Sequence, residues 1–185
     1  MKKPQSAVIS IITVICGFYL WELVDPTIIN TFALGSIDYL KYSNEWYRLF
    51  TVALMHDTSS TLPIHLAFNM MALHSLGAPI EAIFGKRNFL IIFFFSLLSG
   101  SLASTYFMVP GGASIGVSGA VFGLFGSFAV MGRRFGADVK SVYVIVAINF
   151  AVGFTIGGVD WRAHLGGLIG GALITKVLLS FNATK

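Results

Sequence analysis

Residues 114–126 read Ser-Ile-Gly-Val-Ser-Gly-Ala-Val-Phe-Gly-Leu-Phe-Gly, and the interpretation of the whole chain begins with this stretch. Its glycines, at positions 116, 119, 123 and 126, are spaced three or four residues apart, so in a helix they share one face. A face without side chains lets another helix backbone approach closely, which is the small-residue mode of packing inside membranes. Ser118 lies in the first turn of this helix. It is either another small packing residue or a nucleophile.

The composition of the chain indicates that its solvent is a lipid bilayer. Of the 185 residues, 56% are hydrophobic and only 11% are charged, with a formal net charge of +4. A soluble domain of this length has too little interior to bury so much apolar surface. The basic residues are dispersed and form no stripe of the kind that binds nucleic acid. The single cysteine, Cys16, has no partner for an internal disulfide.

Apolar runs predict six membrane-spanning helices, because a span needs roughly 20 apolar residues. The first run is longer than the apolar core of a signal peptide, about 7 to 15 residues, and lacks a small-x-small cleavage site, so we interpret it as a retained span. The predicted fold is an all-α membrane protein, a six-transmembrane-helix bundle formed by one domain over residues 1–185. The predicted spans are 7–23, 63–83, 89–109, 116–132, 141–159 and 162–181.

The basic residues also predict the orientation of the bundle. With both termini in the cytoplasm, nine basic residues fall inside and three fall outside, as the positive-inside rule favours. The inside set is Lys2, Lys3, Lys86, Arg87, Arg133, Arg134, Lys140, Lys176 and Lys185, and the outside set is Lys41, Arg48 and Arg162.

The connection over residues 24–62 is long and rich in side chains that favour the membrane interface. The apolar run at 49–55 is too short to span, which suits an interfacial or re-entrant segment. An ordinary external loop with aromatic anchors is the alternative. The aromatic residues are Tyr39, Tyr42, Trp46 and Tyr47.

Predicted spans four and six are the two glycine-rich helices, and each offers a groove in which the other can lie. Gly119 and Gly123 line span four, and Gly167 and Gly171 have the GxxxG spacing in span six. In span five, Asn149 is expected to form a hydrogen bond to another helix rather than to belong to a site.

Four polar side chains from three spans fall at one depth in this topology. Spans two, four and six run in the same direction, so their N-terminal ends lie together. His65 lies in the first turn of span two, and Asn69 lies one turn deeper on the same face. Ser118 and His164 lie in the first turns of spans four and six, so all four lie within about two helical turns, roughly 10 Å. Strongly polar groups inside a bilayer are functional candidates by default.

The chemistry of these four groups matches acyl transfer. The Ser118 hydroxyl is a weak nucleophile until a base such as the neutral imidazole of His164 takes its proton. The resulting oxyanion needs preorganised donors, which the Ser118 backbone N–H, His65 and Asn69 can supply, with Gly116 allowing close backbone approach. A serine, histidine or asparagine that occurs alone in an apolar helix more often has a structural role than a catalytic one. The string is also not the Gly-x-Ser-x-Gly nucleophile elbow, because position 120 is alanine.

Asp160 lies one turn before His164 and has two interpretations. It can cap the N-terminus of span six, or it can complete a Ser-His-Asp triad. The cap is the simpler interpretation. No cluster with metal-ligand spacing occurs in the sequence, so neither a metal nor an organic cofactor is expected.

Five motifs together resemble the rhomboid family of intramembrane serine proteases. Residues 116–119 match its Gly-x-Ser-Gly motif, and residues 164–171 are similar to its base-bearing last helix, His-x-x-Gly-x-x-x-Gly. His65 and Asn69 match its His-x-x-x-Asn motif. Residues 81–85 resemble its Glu-x-x-x-Gly, and residues 46–48 resemble its Trp-Arg signature with one residue inserted. We expect scaffold roles for Trp46, Arg48, His56 and Glu81.

The resemblance implies a Ser118–His164 catalytic dyad with Phe122 packed on the histidine. It further implies a first loop half-sunk in the membrane, and substrates that are transmembrane segments of membrane proteins. These segments enter the enzyme laterally from the bilayer and are cut near the outer face of the membrane through an acyl-enzyme. A prokaryotic plasma (inner) membrane is the expected location, with the lipid bilayer as the surroundings and no nucleic-acid partner. The alternatives are an inactive relative that binds transmembrane helices and, less favoured, a small solute transporter.

Overall fold

A computed structural model describes residues 6–59, 62–135, 139–155 and 159–182. Lys2, Lys3, Lys185 and the side chains of Arg133 and Arg134, which contribute to the predicted orientation, lie outside what it describes. Regular structure in the described residues is helical apart from one pair of short strands. In chain order the elements are α1 (Ala7–Val24), a 3-10 turn (Pro26–Ile28), α2 (Ile29–Phe32), β1 (Leu34–Gly35), α3 (Ile37–Ser43), α4 (Arg48–Thr51), a second 3-10 turn (Val52–Leu54), α5 (Ile64–Phe107), β2 (Ala113–Ser114), α6 (Ser118–Phe135), α7 (Lys140–Thr155) and α8 (Trp161–Asn182).

The helical bundle agrees with the predicted fold class. Predicted spans two and three form one element, α5, which turns at Gly85 with φ 78° and ψ 163°, a conformation that favours glycine. Among the described residues, α1, α5 and α8 contain the helices that are long and apolar enough to cross a membrane. The apolar stretches of α6 and α7 are shorter, at Ser118–Gly132 and Lys140–Ala151.

Helices α5, α6 and α8 pack extensively against one another. The glycines at these contacts leave no room for side chains. A Cβ atom at Gly167 would collide with the carbonyl of Gly119, and one at Gly171 would collide with the carbonyl of Gly123. The backbones of α6 and α8 are therefore in direct contact, as in small-residue packing inside membranes.

A buried hydroxyl pair reinforces this contact below the glycines. Ser127 Oγ donates to the carbonyl oxygen of Gly123 in its own helix at 3.0 Å or to that of Gly171 in α8 at 3.1 Å. Thr175 Oγ1 donates to Ser127 Oγ at 2.8 Å. These bonds satisfy hydroxyl groups that would be costly to bury alone.

Glu81 connects the first helix to α5. Its carboxylate accepts hydrogen bonds from Ser6 Oγ at 2.7 Å and from the backbone N–H groups of Ala7 at 2.8 Å and Val8 at 3.1 Å. The first N–H groups of a helix have no partner within it, and they carry a partial positive charge that favours an anion. Glu81 therefore caps α1 from another helix.

Arg48 organises the first loop from a buried position. Its guanidinium donates to the carboxylate of Glu45 at 2.8 Å, to the carbonyl oxygens of Ala33 and Asn30 at 2.7 Å each, and to the Tyr39 hydroxyl at 3.2 Å. The planar fork of an arginine suits such convergent acceptors. The Arg48 interaction with Glu45 also lowers the pKa of that carboxyl.

The first loop is tied to the chain that leads into α6. Strands β1 and β2 pair antiparallel, with Leu34 opposite Ser114. The N–H of Gly116 donates to the carbonyl oxygen of Val52 at 2.9 Å. The apolar run at 49–55 is partly helical and largely buried against the bundle. The first loop is thus packed in the structure, and its contacts hold the segment that leads into the N-terminus of α6 in place.

Asn149 and Trp46 both have exposed side chains that bond within their own segments. Asn149 was predicted to bond another helix, but its side chain is exposed and donates to the carbonyl of Ile145 in its own helix at 2.9 Å. The i−4 carbonyl is always within reach of such a side chain. Trp46 is 41% exposed, and its ring N–H donates to Asn44 Oδ1 at 3.1 Å, so it packs little in the bundle.

Candidate active site

Ser118 and His164 lie side by side at the same end of the bundle. Ser118 begins α6, and His164 lies in the first turn of α8. The distance between Ser118 Oγ and His164 Nε2 is 2.9 Å, which is a hydrogen bond. His164 is only 5% exposed, whereas Ser118 is partly accessible. The glycine contact between α6 and α8 brings the two residues this close.

The imidazole of His164 is stacked on Phe122. The ring centroids are 3.9 Å apart, and the planes are inclined by only 8°. Phe150 of α7 meets the same imidazole edge-on, with centroids 6.4 Å apart. Phe122 lies one helical turn after Ser118, so the nucleophile candidate and the ring that supports its histidine come from one short segment.

His164 Nδ1 is buried and has no hydrogen-bond partner among the described residues. Asp160 does not bond it. The Asp160 carboxylate instead accepts from the N–H groups of Arg162 at 3.2 Å and Ala163 at 3.4 Å, and from the Ser104 hydroxyl. It therefore caps α8, which is the simpler of its two interpretations.

His65 points towards the start of α6. A Cβ atom at Gly116 would lie 3.0 Å from His65 Cε1 and 3.1 Å from Nε2, so the imidazole lies directly over this glycine. Gly116 has φ 108°, a conformation that other residues rarely adopt. The N–H of Asp57 donates to His65 Nδ1 at 3.2 Å. Because Nδ1 accepts this bond, the proton of the neutral ring is on Nε2, the nitrogen that faces Gly116.

Asn69 lies one turn below His65 and is buried. Its Nδ2 donates to the carbonyl oxygen of His65 at 2.9 Å. An amide group has two N–H hydrogens, so this bond uses one and leaves the other for a ligand. The bond also holds the side chain against the helix that carries His65.

Of the four residues for which a scaffold role was predicted, Trp46 is exposed and the other three are packed or hydrogen-bonded within the structure. Arg48 and Glu81 hold the first loop and α1, as described above. His56 is fully buried, with its ring centroid 5.1 Å from that of His65. Burial, together with the neighbouring His65, lowers the pKa of His56 from 6.5 to about 4.

Four groups at the site or next to it were not predicted from the sequence. The backbone N–H of Asp57 has no signal in the sequence, and no signal there indicates that Ser104 bonds Asp160. Phe150 is one of many aromatic residues in the chain. Glu22, which accepts a hydrogen bond from the backbone N–H of His56, did carry a signal, because an acidic side chain inside an apolar span is unusual. Among the residues that the structure describes, no three metal-ligating side chains form a cluster.

The fold and the site define an all-α membrane protein in which a serine hydroxyl meets an imidazole at one end of a helical bundle. The Rhomboid domain family model matches residues 43–181. The chain is 36% identical over 139 residues to Rhomboid protease GluP of Bacillus subtilis, covering 72% of this chain and 26% of that protein. It is 34% identical over 140 residues to Putative rhomboid protease YdcA of the same organism, covering 72% of this chain and 67% of that one.

A plant relative is similar over a longer stretch. RHOMBOID-like protein 1 of Arabidopsis thaliana is 32% identical over 167 residues, covering 85% of this chain and 41% of that protein. The protein therefore belongs to the rhomboid family. The matched stretch spans 26% of GluP and 41% of the plant protein, less than half of each.

Proposed function

We propose that the protein is an intramembrane serine endopeptidase in which Ser118 is the nucleophile and His164 is the general base. The observation that carries this proposal is the 2.9 Å separation of Ser118 Oγ and His164 Nε2. A nucleophile and its base are expected about 2.6–3.2 Å apart. The matching relatives that are named proteases support the same interpretation.

The reaction proceeds by acyl transfer. Ser118 Oγ attacks the substrate carbonyl while its proton passes to His164 Nε2. The same proton is then delivered to the leaving amine as the peptide bond breaks. The acyl-enzyme ester is hydrolysed by water, which His164 deprotonates in turn. Before each attack, the His164 proton is on Nδ1, so that Nε2 is free to accept.

Three donors stabilise the oxyanion that forms during each attack. The Ser118 N–H belongs to the first turn of α6, where backbone N–H groups have no partner within the helix. His65 contributes its Nε2–H across Gly116, and Asn69 contributes the amide hydrogen that its bond to the His65 carbonyl leaves unused. Preorganised donors of this kind often stabilise the transition state more than any other feature of an active site.

The substrates are transmembrane segments of other proteins. A helix hides its carbonyls in hydrogen bonds, so the segment must unwind before Ser118 can attack. Small or helix-weakening residues near the cut lower the cost of unwinding, by up to about 1 kcal/mol for glycine. With both termini in the cytoplasm, the site lies near the outer face of a plasma membrane, where water can reach it.

The proposal is tested by reconstituting the protein in liposomes with a single-span protein whose cleavage releases a fluorophore. The wild-type protein is expected to cut it, and Ser118→Ala and His164→Ala are expected to lower the rate at least about 1,000-fold, in line with the effect of removing a triad member. Ser127→Ala is the matched control, because Ser127 lies deeper in the same helix and should not affect the rate directly.

Two other outcomes would contradict the proposal. If the wild-type protein binds the segment without cutting it, the protein is an inactive relative that recognises transmembrane helices. If the liposomes instead show solute flux that depends on the polar residues of the site, the protein is a transporter.

A further inference from the structure

A buried acid in the first helix contacts the loop that holds His65. Glu22 is 1% exposed, although it lies in an otherwise apolar helix. Its Oε2 accepts a hydrogen bond from the backbone N–H of His56 at 3.1 Å. Its other oxygen, Oε1, is buried without a partner among the described residues. A buried oxygen without a hydrogen-bond partner costs about 1–3 kcal/mol. Packing alone therefore does not explain a glutamate at this position, because an apolar side chain would avoid this cost.

The next peptide unit makes the bond that fixes the tautomer of His65. The N–H of Asp57 donates to His65 Nδ1 at 3.2 Å. The two N–H groups belong to successive planar peptide units that are joined at the Cα atom of His56. Holding the first unit leaves only the φ and ψ angles of His56, whose side chain is fully buried, to set the direction of the second N–H. The His56 ring lies against the His65 ring, with centroids 5.1 Å apart.

These contacts form a continuous path from α1 to the candidate oxyanion site. Glu22 holds the N–H of His56, and the adjoining Asp57 N–H holds Nδ1 of His65. The proton of His65 is thereby kept on Nε2, the nitrogen over Gly116. If the Asp57 bond were lost, the ring could carry its proton on Nδ1 and present a lone pair, which repels an oxyanion, at Nε2.

We propose that Glu22 is a positioning residue for the oxyanion site, acting through the His56–Asp57 backbone to keep His65 as an Nε2–H donor. Glu22 contacts no reacting atom, so its effect depends entirely on His65. This inference rests on the proposed proteolytic function for its kinetic consequences, whereas the tautomer of His65 can be measured without any activity.

The kinetic test compares two substitutions of similar size. Glu22→Gln keeps an acceptor oxygen for the His56 N–H and is expected to retain the wild-type rate within about twofold. Glu22→Met removes the acceptor and is expected to lower kcat about 10-fold with little change in KM. That loss is smaller than the roughly 100-fold or more that removing a donor outright typically causes. If the Met variant does not fold, Glu22→Ala, which also lacks the acceptor, takes its place.

A double-mutant cycle separates positioning from a general structural defect. In a His65→Ala background, Glu22→Met is expected to have no further effect on kcat, because the group through which it acts is gone. An equal 10-fold loss in both backgrounds would overturn the inference, as would a Met variant that is as active as the wild-type protein.

The spectroscopic test uses protein with nitrogen-15 in its histidine rings, with His65 assigned by its loss in His65→Ala. The wild-type protein and Glu22→Gln are expected to show His65 protonated at Nε2, and Glu22→Met is expected to show a mixture of tautomers. A wild-type His65 protonated at Nδ1 would overturn the inference even in an active protease. A wild-type protein with the expected tautomer but no Ser118-dependent cleavage would contradict the proposed function instead.

Discussion

The imidazole of His164 lies parallel to the ring of Phe122, with centroids 3.9 Å apart and planes inclined by 8°. Together with the 2.9 Å contact to Ser118 Oγ, this stacking fixes both the plane and the direction of the imidazole. Aromatic contacts of this kind contribute about 0.5–1.5 kcal/mol beyond the burial of area. The position of the proposed base thus depends on a residue that takes no part in proton transfer.

Replacing Phe122 with leucine is therefore expected to lower the rate of cleavage about 10-fold, which corresponds to about 1.4 kcal/mol in the barrier. The measurement is kcat for a transmembrane substrate, taken at a temperature where the variant is fully folded. Phe125→Leu is the matched control, because Phe125 is a buried residue of the same helix that contacts Phe122 rather than His164. Equal losses in the two variants would show that the stacking has no special role.

Substitutions of Asp160 distinguish a helix cap from a third catalytic residue. Asparagine is an equally good N-cap, so Asp160→Asn is expected to keep nearly full activity. In a Ser-His-Asp triad the same change costs about 10,000-fold in kcat. Asp160→Ala removes the cap and is expected to lower stability by about 1 kcal/mol, with activity preserved in the folded fraction. A collapse of kcat in Asp160→Asn would reverse the assignment.

The contact between α6 and α8 predicts that alanine is not tolerated at Gly171. Its Cβ would meet the backbone of Gly123, which cannot move aside as a flexible side chain can. Overpacking of this kind typically costs about 1–3 kcal/mol, so a lower unfolding temperature in detergent is expected. The control is Gly17→Ala, because nothing lies within 4 Å of the added Cβ in that case. It should be neutral or stabilising by up to about 1 kcal/mol, and equal destabilisation by both changes would contradict this description of the packing.

The structure also predicts a stability that declines in mild acid. Two effects lower the pKa of His56 from 6.5 to about 4, of which burial is the larger and proximity to His65 is the smaller. Below pH 6.5 the unfolded chain binds a proton at this residue that the folded protein does not, so stability falls as the pH drops from 6.5 towards 4. The loss from this group approaches about 3 kcal/mol at the lower limit.

Thermal unfolding from about pH 7 to about pH 4 measures this effect. His56→Gln is expected to reduce the dependence on pH in this window, because glutamine does not take up a proton in place of the histidine. An identical slope in the wild-type protein and His56→Gln would show that His56 does not contribute.

The sequence predicted the helices and the grouping of the polar residues because both depend on regular periodicity. The positions of Ser118, His164, His65 and Asn69 near the ends of three helices followed from the direction of the spans. What could not be predicted depends on backbone groups and loop geometry. The N–H of Asp57 that fixes His65 has no side-chain signal, and the pairing of β1 with β2 joins segments that are far apart in the chain.

Individual polar side chains were also difficult to assign from the sequence. Asn149 was expected to bond another helix, but the carbonyl of Ile145 in its own helix is its partner. Ser104 donates to the Asp160 carboxylate, a partner 56 residues further along the chain. A hydroxyl or amide in an apolar helix has several partners within reach, and only the packed structure determines which one it uses.

The central claim is that Ser118 is a nucleophile activated by His164. The most direct measurement is covalent reaction with a serine-directed fluorophosphonate, followed by mass spectrometry to locate the modified residue. We predict that one residue, Ser118, is modified in the wild-type protein, that labelling is lost in Ser118→Ala and strongly reduced in His164→Ala, and that Ser127→Ala is labelled normally. A folded wild-type protein that is not modified at Ser118, or that is labelled equally when His164 is replaced, would contradict the claim.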